Sequence, residues 1–221
     1  MALKRVMFIR PGETDWNLNG RWQGWVAIPL NELGRQQIKR LAGFIRNLGV
    51  DAMYSSDTKR AIESANIIGE QLQFTPIFDE RWRERNIGHW QGMILPEVRD
   101  WYADEYQSML DDINTYRIPG GGESRDDVRK RVQSAFKEIV KKWDKEKDPI
   151  NVGILTHTTA IRVLMETLIP DLDLTEVPFG NSSVTTITRA DNGSWKLTAA
   201  NDTTHLEGLE SRYMPEVESE K

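Results

Sequence analysis

The sequence has no cysteine, which rules out disulfides and thiolate metal sites. It has no apolar run near the ~20 residues that a membrane-spanning helix requires, so no contact with a membrane is expected. Basic charge is not in excess either. Lys and Arg number 29 against 34 Asp and Glu, a formal net charge of −5, which argues against a general nucleic-acid binder. Histidine is scarce, with only His89, His157 and His205 in 221 residues. An anionic substrate would therefore need a local cluster of Arg and His rather than a broad basic field. The N-terminal Met1-Ala2-Leu3-Lys4-Arg5 leads into an apolar stretch too short for a signal peptide, so a cytoplasmic location is expected.

The rest of the composition is that of an ordinary globular protein, 38% hydrophobic and 29% charged. The length suits one domain with a large core, or two small ones. Arg5 to Ile9 is nearly continuous in apolar residues, as a buried strand is. Residues 15–29 mix Trp16, Trp22 and Trp25 with Asn and Gly, the composition of a structured loop with tryptophans packed beneath it. Leu30, Leu33, Ile38, Leu41, Phe44, Ile45 and Leu48 predict a helix over 31–48, with Asn31 as N-cap and Gly49 as stop. A strand over 51–55 and a helix capped by Ser56 or Asp57 follow, then a short strand over 75–78.

Residues 79–122 break this alternation. They are rich in charge and aromatics, and they read as an insertion with one or two helices, including 95–112, lying over one end of the sheet. Pro119-Gly120-Gly121-Gly122 then turns into a Ser124-capped helix over about 124–146. A second apolar strand, 151–156, ends at His157 and enters another helix. Ser183–Arg189 and Trp195–Ala199 flank Asp191-Asn192-Gly193-Ser194 as a hairpin. Strands alternating with helices imply a three-layer α/β/α sandwich with a mainly parallel sheet and the hairpin as an antiparallel edge. One domain is expected over 1–206, followed by an acidic, mobile tail over 207–221.

Ligands of such sheets bind outside the carboxyl ends of the strands. Arg10 and His157 stand there. Arg10 is either a solvent-facing strand-end arginine or a bidentate phosphate ligand, and Gly12 beside it would let an anion approach the backbone. Arg60 lies in the first turn of its helix, the unfavourable end for a cation. It calls for an anionic partner, for which a surface salt bridge would serve as well. Glu84 sits among Arg81, Arg83 and Arg85, where local ion pairing is the simplest reading. His157 is either a structural histidine or part of an anion site at a helix N-terminus. His89 reads as a solvated loop residue.

Taken together, these stretches resemble the histidine phosphatase, or phosphoglycerate mutase-like, superfamily. The resemblance rests on Arg10-Pro11-Gly12-Glu13-Thr14, Asn17 with Gly20-Arg21-Trp22-Gln23-Gly24, and Pro29-Leu30-Asn31-Glu32-Leu33-Gly34. It continues through Ser55-Ser56-Asp57-Thr58-Lys59-Arg60-Ala61, Glu84 with Gly88-His89-Trp90-Gln91-Gly92, Gly122-Glu123-Ser124 and Thr156-His157-Thr158-Thr159-Ala160-Ile161-Arg162. It implies Arg10, Gly12, Asn17, Arg60 and His157 as phosphate ligands, Glu84 as general acid, His157 as stabiliser of the transferring group, and no cofactor or metal. The implied partner is a small phosphorylated ligand, and an oligomer is possible.

The sequence departs from the family pattern at one decisive place. The family's nucleophilic histidine follows the arginine of the first motif, and here that position is Pro11. Proline has no side-chain lone pair for attack on phosphorus and no backbone N–H, so a phosphohistidine route at this position is excluded. Two expectations follow: a phosphatase-like protein with weak or unconventional hydrolysis, through water aligned by Glu84 and His157 or through His157 itself, or a pseudoenzyme that binds a phosphorylated ligand or a protein. Thr158 and Thr159 replace the family's glycines, which would narrow the pocket or add hydroxyl donors.

Overall fold

A computed structural model describes residues 1–211. Its strands are β1 (Leu3–Ile9), β2 (Ala52–Ser55), β3 (Ile77–Phe78), β4 (Ile150–Leu155), β5 (Val184–Arg189) and β6 (Trp195–Asp202). Its helices are α1 (Asp15–Leu18), α2 (Glu32–Leu48), α3 (Lys59–Leu72), α4 (Leu95–Trp101), α5 (Ala103–Asp111), α6 (Arg125–Trp143) and α7 (Thr158–Leu168). They form a mixed α/β fold around one sheet of order β3-β2-β4-β1-β5-β6. β3, β2, β4 and β1 run parallel, while β5 and β6 complete an antiparallel edge.

The period-two alternation of β1 builds the three layers. Val6 and Phe8 enter a core with Val128, Val132 and Phe136 of α6 and Ile161 and Leu164 of α7. Met7 and Ile9 point the other way, into a core with Ile38, Leu41 and Ile45 of α2 and Ala61, Ala65 and Ile68 of α3. A third cluster, Trp90, Met93, Val98, Tyr106, Met109 and Ile118, draws its buried members from residues 79–122, with Trp22 packed against it. The insertion therefore has a small core of its own.

The caps explain most of the boundaries. Asn31 accepts from the Gly34 amide, and Gly49 ends α2 at φ 69°, a left-handed conformation that glycine adopts freely. Ser124 and Asp127 form a reciprocal capping box on α6. Three expectations need correction. The N-cap of α3 is Thr58, with no side-chain cap bond; the Ser56 hydroxyl and Asp57 carboxylate are used instead by His157 and Arg83. The 95–112 helix is broken at Tyr102, which closes α4 and opens α5 at φ −130°, ψ 37°. Residues 15–18 close into the short α1, capped by Thr14, and Trp25 remains exposed rather than packed beneath a loop.

After the last 3-10 turn the chain is still attached to the body. The Leu209 carbonyl accepts from Gln37 Nε2 at 2.9 Å, and the Ser211 hydroxyl donates to the Glu13 carboxylate. The mobility expected of Glu216, Glu218 and Glu220 falls outside the described residues. Among the described residues no helix is long and apolar enough to cross a membrane.

Candidate active site

Three adjacent strands place the charged residues. β1 pairs with β4 and β4 with β2, so Ile9, Leu155 and Ser55 end side by side. Arg10 follows the first, His157 the second, and the turn into α3 delivers Arg60 after the third. All three line one cavity of about 310 Å³, together with Pro11, Asn17 and Glu84.

His157 is buried at 4% exposure. Its Nε2 lies 2.9 Å from Ser56 Oγ and 3.2 Å from Thr58 Oγ1, and its Nδ1 lies 3.3 Å from Arg60 Nη2. A guanidinium only donates. Nδ1 is therefore the acceptor, and the ring proton sits on Nε2, facing the hydroxyls. Burial, then the charges of Arg60, Arg10 and Arg131, hold the imidazole pKa well below the usual 6.5. The ring is neutral at pH 7.

Arg10 and Arg60 are desolvated as well. Arg60 is buried at 4% exposure, and its Nη2 donates to the Gly24 carbonyl at 2.9 Å. Arg10 donates to the Phe179 carbonyl. Burial lowers each pKa to about 10, opposed by the negative charge of Glu84. Phe179 is held at φ 43°, a left-handed conformation costly for an aromatic residue. Arg162 braces it from 5.0 Å over the ring, while donating to the carbonyls of Leu174 and Val177.

Arg81 and Arg83 pair with other carboxylates. Arg81 binds Asp79 and Glu138, and Arg83 binds Asp57. Arg85 donates to the carbonyls of Glu123 and Tyr116. The Glu84 carboxylate instead accepts from the amides of Arg85, at 2.7 Å, and Thr159, at 3.3 Å. Its carbonyl accepts from Trp25 Nε1 and Arg131 Nη2. Arg131 also binds the carbonyls of Arg81 and Arg83 and the Glu123 carboxylate. This inward-facing residue of α6 fixes the Glu84 loop, and nothing in its local sequence context marks it out.

Asn17 caps α1 reciprocally with Thr14, and its Oδ1 accepts from Asn181 Nδ2 at 3.2 Å. Asn181 also lines the cavity and donates to the Pro11 carbonyl. Pro11 is buried and fits its strand-end position through its carbonyl, which also accepts from the Ser182 amide at 3.1 Å, while the Arg10 amide donates to Ser183 at 3.1 Å.

Gly12 does not line the cavity, contrary to expectation. Its amide donates to Ser64 Oγ at 3.2 Å. A Cβ on it would meet the Gly34 carbonyl oxygen at 2.5 Å. Its lack of a side chain serves the packing of the first motif on α2, and its amide is already used. His89 likewise stands apart from the cavity. It stacks on Tyr102 with ring centroids 4.5 Å apart, and its Nε2 lies 2.8 Å from Glu105. It ties α5 to the turn before it and is not a freely solvated loop residue.

Residues 6–203 match the histidine phosphatase superfamily (branch 1). The chain belongs to that superfamily. It is 32% identical over 204 residues to phosphoglycerate mutase-like protein 4 of Arabidopsis thaliana, covering 91% of this chain and 86% of the relative. It is 31% identical over 214 residues to the metal-independent phosphoserine phosphatase of the same plant, covering 92% and 84%. Among solved structures, mycobacterial glucosyl-3-phosphoglycerate phosphatase complexed with VO3 superposes with a TM-score of 0.78 at 28% identity, covering 90% of this chain and 99% of that one. A histidine-to-alanine mutant of Entamoeba histolytica phosphoserine phosphatase, in complex with phosphoserine, superposes with a TM-score of 0.76 at 26% identity, covering 91% and 98%.

Proposed function

We propose that the cavity binds a phosphomonoester through Arg10, Arg60 and His157, and that the protein is a phosphatase-like member of its superfamily with weak or unconventional hydrolysis. One observation carries this reading. Two desolvated guanidiniums and a neutral imidazole converge where adjacent parallel strands end. Holding cations away from water is costly unless an anion completes the site. Arg10 and Arg60 would clamp the phosphoryl oxygens, and Asn17 would add a polar contact. Glu84 would protonate the leaving oxygen as the P–O bond breaks.

Pro11 stands in the wall of the same cavity and offers no nucleophile. The incoming group is then water, and the rate comes from positioning and charge stabilisation alone. His157 is poorly suited to attack: its Nδ1 lone pair is turned to Arg60 and its Nε2 carries the proton. Pro11 also favours a second reading, a pseudoenzyme that binds a phosphorylated ligand without turning it over. The Entamoeba histolytica phosphoserine phosphatase mutant, a structural neighbour with one histidine replaced by alanine, is seen in complex with phosphoserine.

Assays on p-nitrophenyl phosphate and a phosphomonoester panel separate the readings. Slow hydrolysis by the natural protein, falling at least ~tenfold in Arg10→Ala, a loss of ~1.4 kcal/mol of transition-state binding, is the expected result. Activity that appears only in Pro11→His would favour the pseudoenzyme. Phosphate at ~100 times its Kd should stabilise the fold by ~2.7 kcal/mol. The absence of any such shift, with Arg10→Ala as active as the parent, would sink both readings.

A further inference from the structure

The cavity has two chemically distinct ends. Beyond the phosphate end, its lining passes to Trp22, Ile87, Trp90, Met109 and Ile118. These residues belong to the separate core of the insertion or pack directly against it. The rings of Trp22 and Trp90 lie 5.9 Å apart at 56°, and Trp90 is fully buried behind. We propose that the group esterified to phosphate is apolar, an aryl or branched alkyl alcohol, and that Trp22 and Ile87 determine this preference. The proposal rests on the phosphomonoester reading above and names its substrate class.

The charged groups at this end are already engaged, while two neutral atoms of the lining, Gln23 Oε1 and Trp90 Nε1, are buried without a hydrogen-bond partner. Arg21 donates to the Gly92 carbonyl at 2.6 Å and lies 3.7 Å from Glu97. Arg85 donates to the carbonyls of Glu123, at 2.8 Å, and Tyr116, at 3.0 Å. The Glu84 carboxylate is tied to two amides. A carboxylate, an ammonium or a ring of sugar hydroxyls entering here would leave water for a wall of indole, isoleucine and thioether. Polar groups that lose water without new partners weaken binding. An aromatic ring instead finds tilted aromatic faces and the Met109 side chain, contacts that aromatics favour. The cavity is at the small end of the ~300–1,000 Å³ typical of ligand sites, which suits one or two rings rather than an extended chain.

Binding tests this, and the central pair of ligands are phosphonates whose C–P bond is not hydrolysed, so the role of Pro11 does not enter their affinity ratio. Calorimetry on the natural protein would compare methylphosphonate, benzylphosphonate, phospho-L-serine and 3-phosphoglycerate. Benzylphosphonate is expected to bind at least tenfold more tightly than methylphosphonate, about 1.4 kcal/mol, and more tightly than either polar ester. Trp22→Ala and Ile87→Gln should bring the benzyl-to-methyl affinity ratio close to one, while Trp22→Phe should keep it. The main-chain bonds of Trp22 to Met93 and Gly92 do not depend on its side chain, so the fold should survive these changes. Phosphoserine or 3-phosphoglycerate binding tightest would overturn the apolar leaving group and leave the phosphate site standing. No binding of any of the four, by the parent or by Arg10→Ala, would overturn the phosphate site as well.

Discussion

Alanine at Gly34 is expected to destabilise the protein by at least ~3 kcal/mol, or to prevent folding. Its Cβ would stand 2.1 Å from the Glu13 carbonyl oxygen and 2.7 Å from the Glu13 nitrogen. Both are backbone atoms, so no side chain can rotate away. The opposing segment cannot retreat, because the Glu13 amide donates to Gln37 Oε1, the Glu13 carbonyl accepts from the Asn31 amide, and the Gly12 amide is bound to Ser64. Overpacking costs ~1–3 kcal/mol where neighbours can shift, and losses above that accompany rigid clashes. The same substitution at Gly43, in the same helix, should have the opposite sign. Nothing lies within 4 Å of its added Cβ, and replacing a helix-interior glycine gains ~0.5–1 kcal/mol. Urea denaturation of both variants measures the contrast. A Gly34→Ala protein as stable as the parent would refute the close packing of the first motif on α2.

Sulfate binding should tighten as pH falls, by up to ~tenfold per unit at the steepest. In the free protein, burial and the charges of Arg60, Arg10 and Arg131 depress the His157 pKa well below 6.5. A dianion between Arg10 and Arg60 would offset their repulsion and raise that pKa, so binding takes up a proton. The window runs from the pKa of the complex down to that of the free protein. Sulfate stays doubly charged across it, as phosphate does not. Calorimetry in buffers of different ionisation enthalpy counts the protons directly. His157→Gln should abolish the uptake, and Glu84→Gln should keep it. Uptake that persists in His157→Gln would refute the assignment.

The free protein follows the related rule for folding. A histidine whose folded pKa is depressed contributes stability that is full above the unfolded value of 6.5 and is lost as pH falls towards the folded value. His157 and His205 both act in this sense, the latter because its burial outweighs its contact with the Ser182 carbonyl. Thermal stabilisation by sulfate should therefore grow as the solution becomes more acidic.

Much of this was legible in the residues because the signals were local. The apolar run of β1, the Asn31 and Gly49 bounds of α2 and the Ser124 cap of α6 each depend on a few neighbouring side chains. Arg10 and His157 were legible for a topological reason, since strands of a parallel sheet deliver their following residues to one edge. Contacts distant in sequence were not legible. Gly12 faces Gly34, and Arg131 reaches back to Arg81, Arg83 and Glu84. The break at Tyr102 was hidden because the aromatic and charged pattern of 95–112 runs through it. The apolar wall of Met109 and Ile118 was hidden because nothing in the sequence says which residues of a cap turn inward.

The main chain at position 11 is anchored by the Pro11 carbonyl, which accepts from the Ser182 amide, and by the Arg10 amide, which donates to the Ser183 carbonyl; neither bond needs an N–H on residue 11. The tertiary amide nitrogen of proline satisfies these bonds, and a secondary amide there would add one N–H needing an acceptor at a buried position. On the proposed reading, the anion pocket and the residue at position 11 are held by separate sets of bonds, so the pocket can persist whichever residue stands at the strand end.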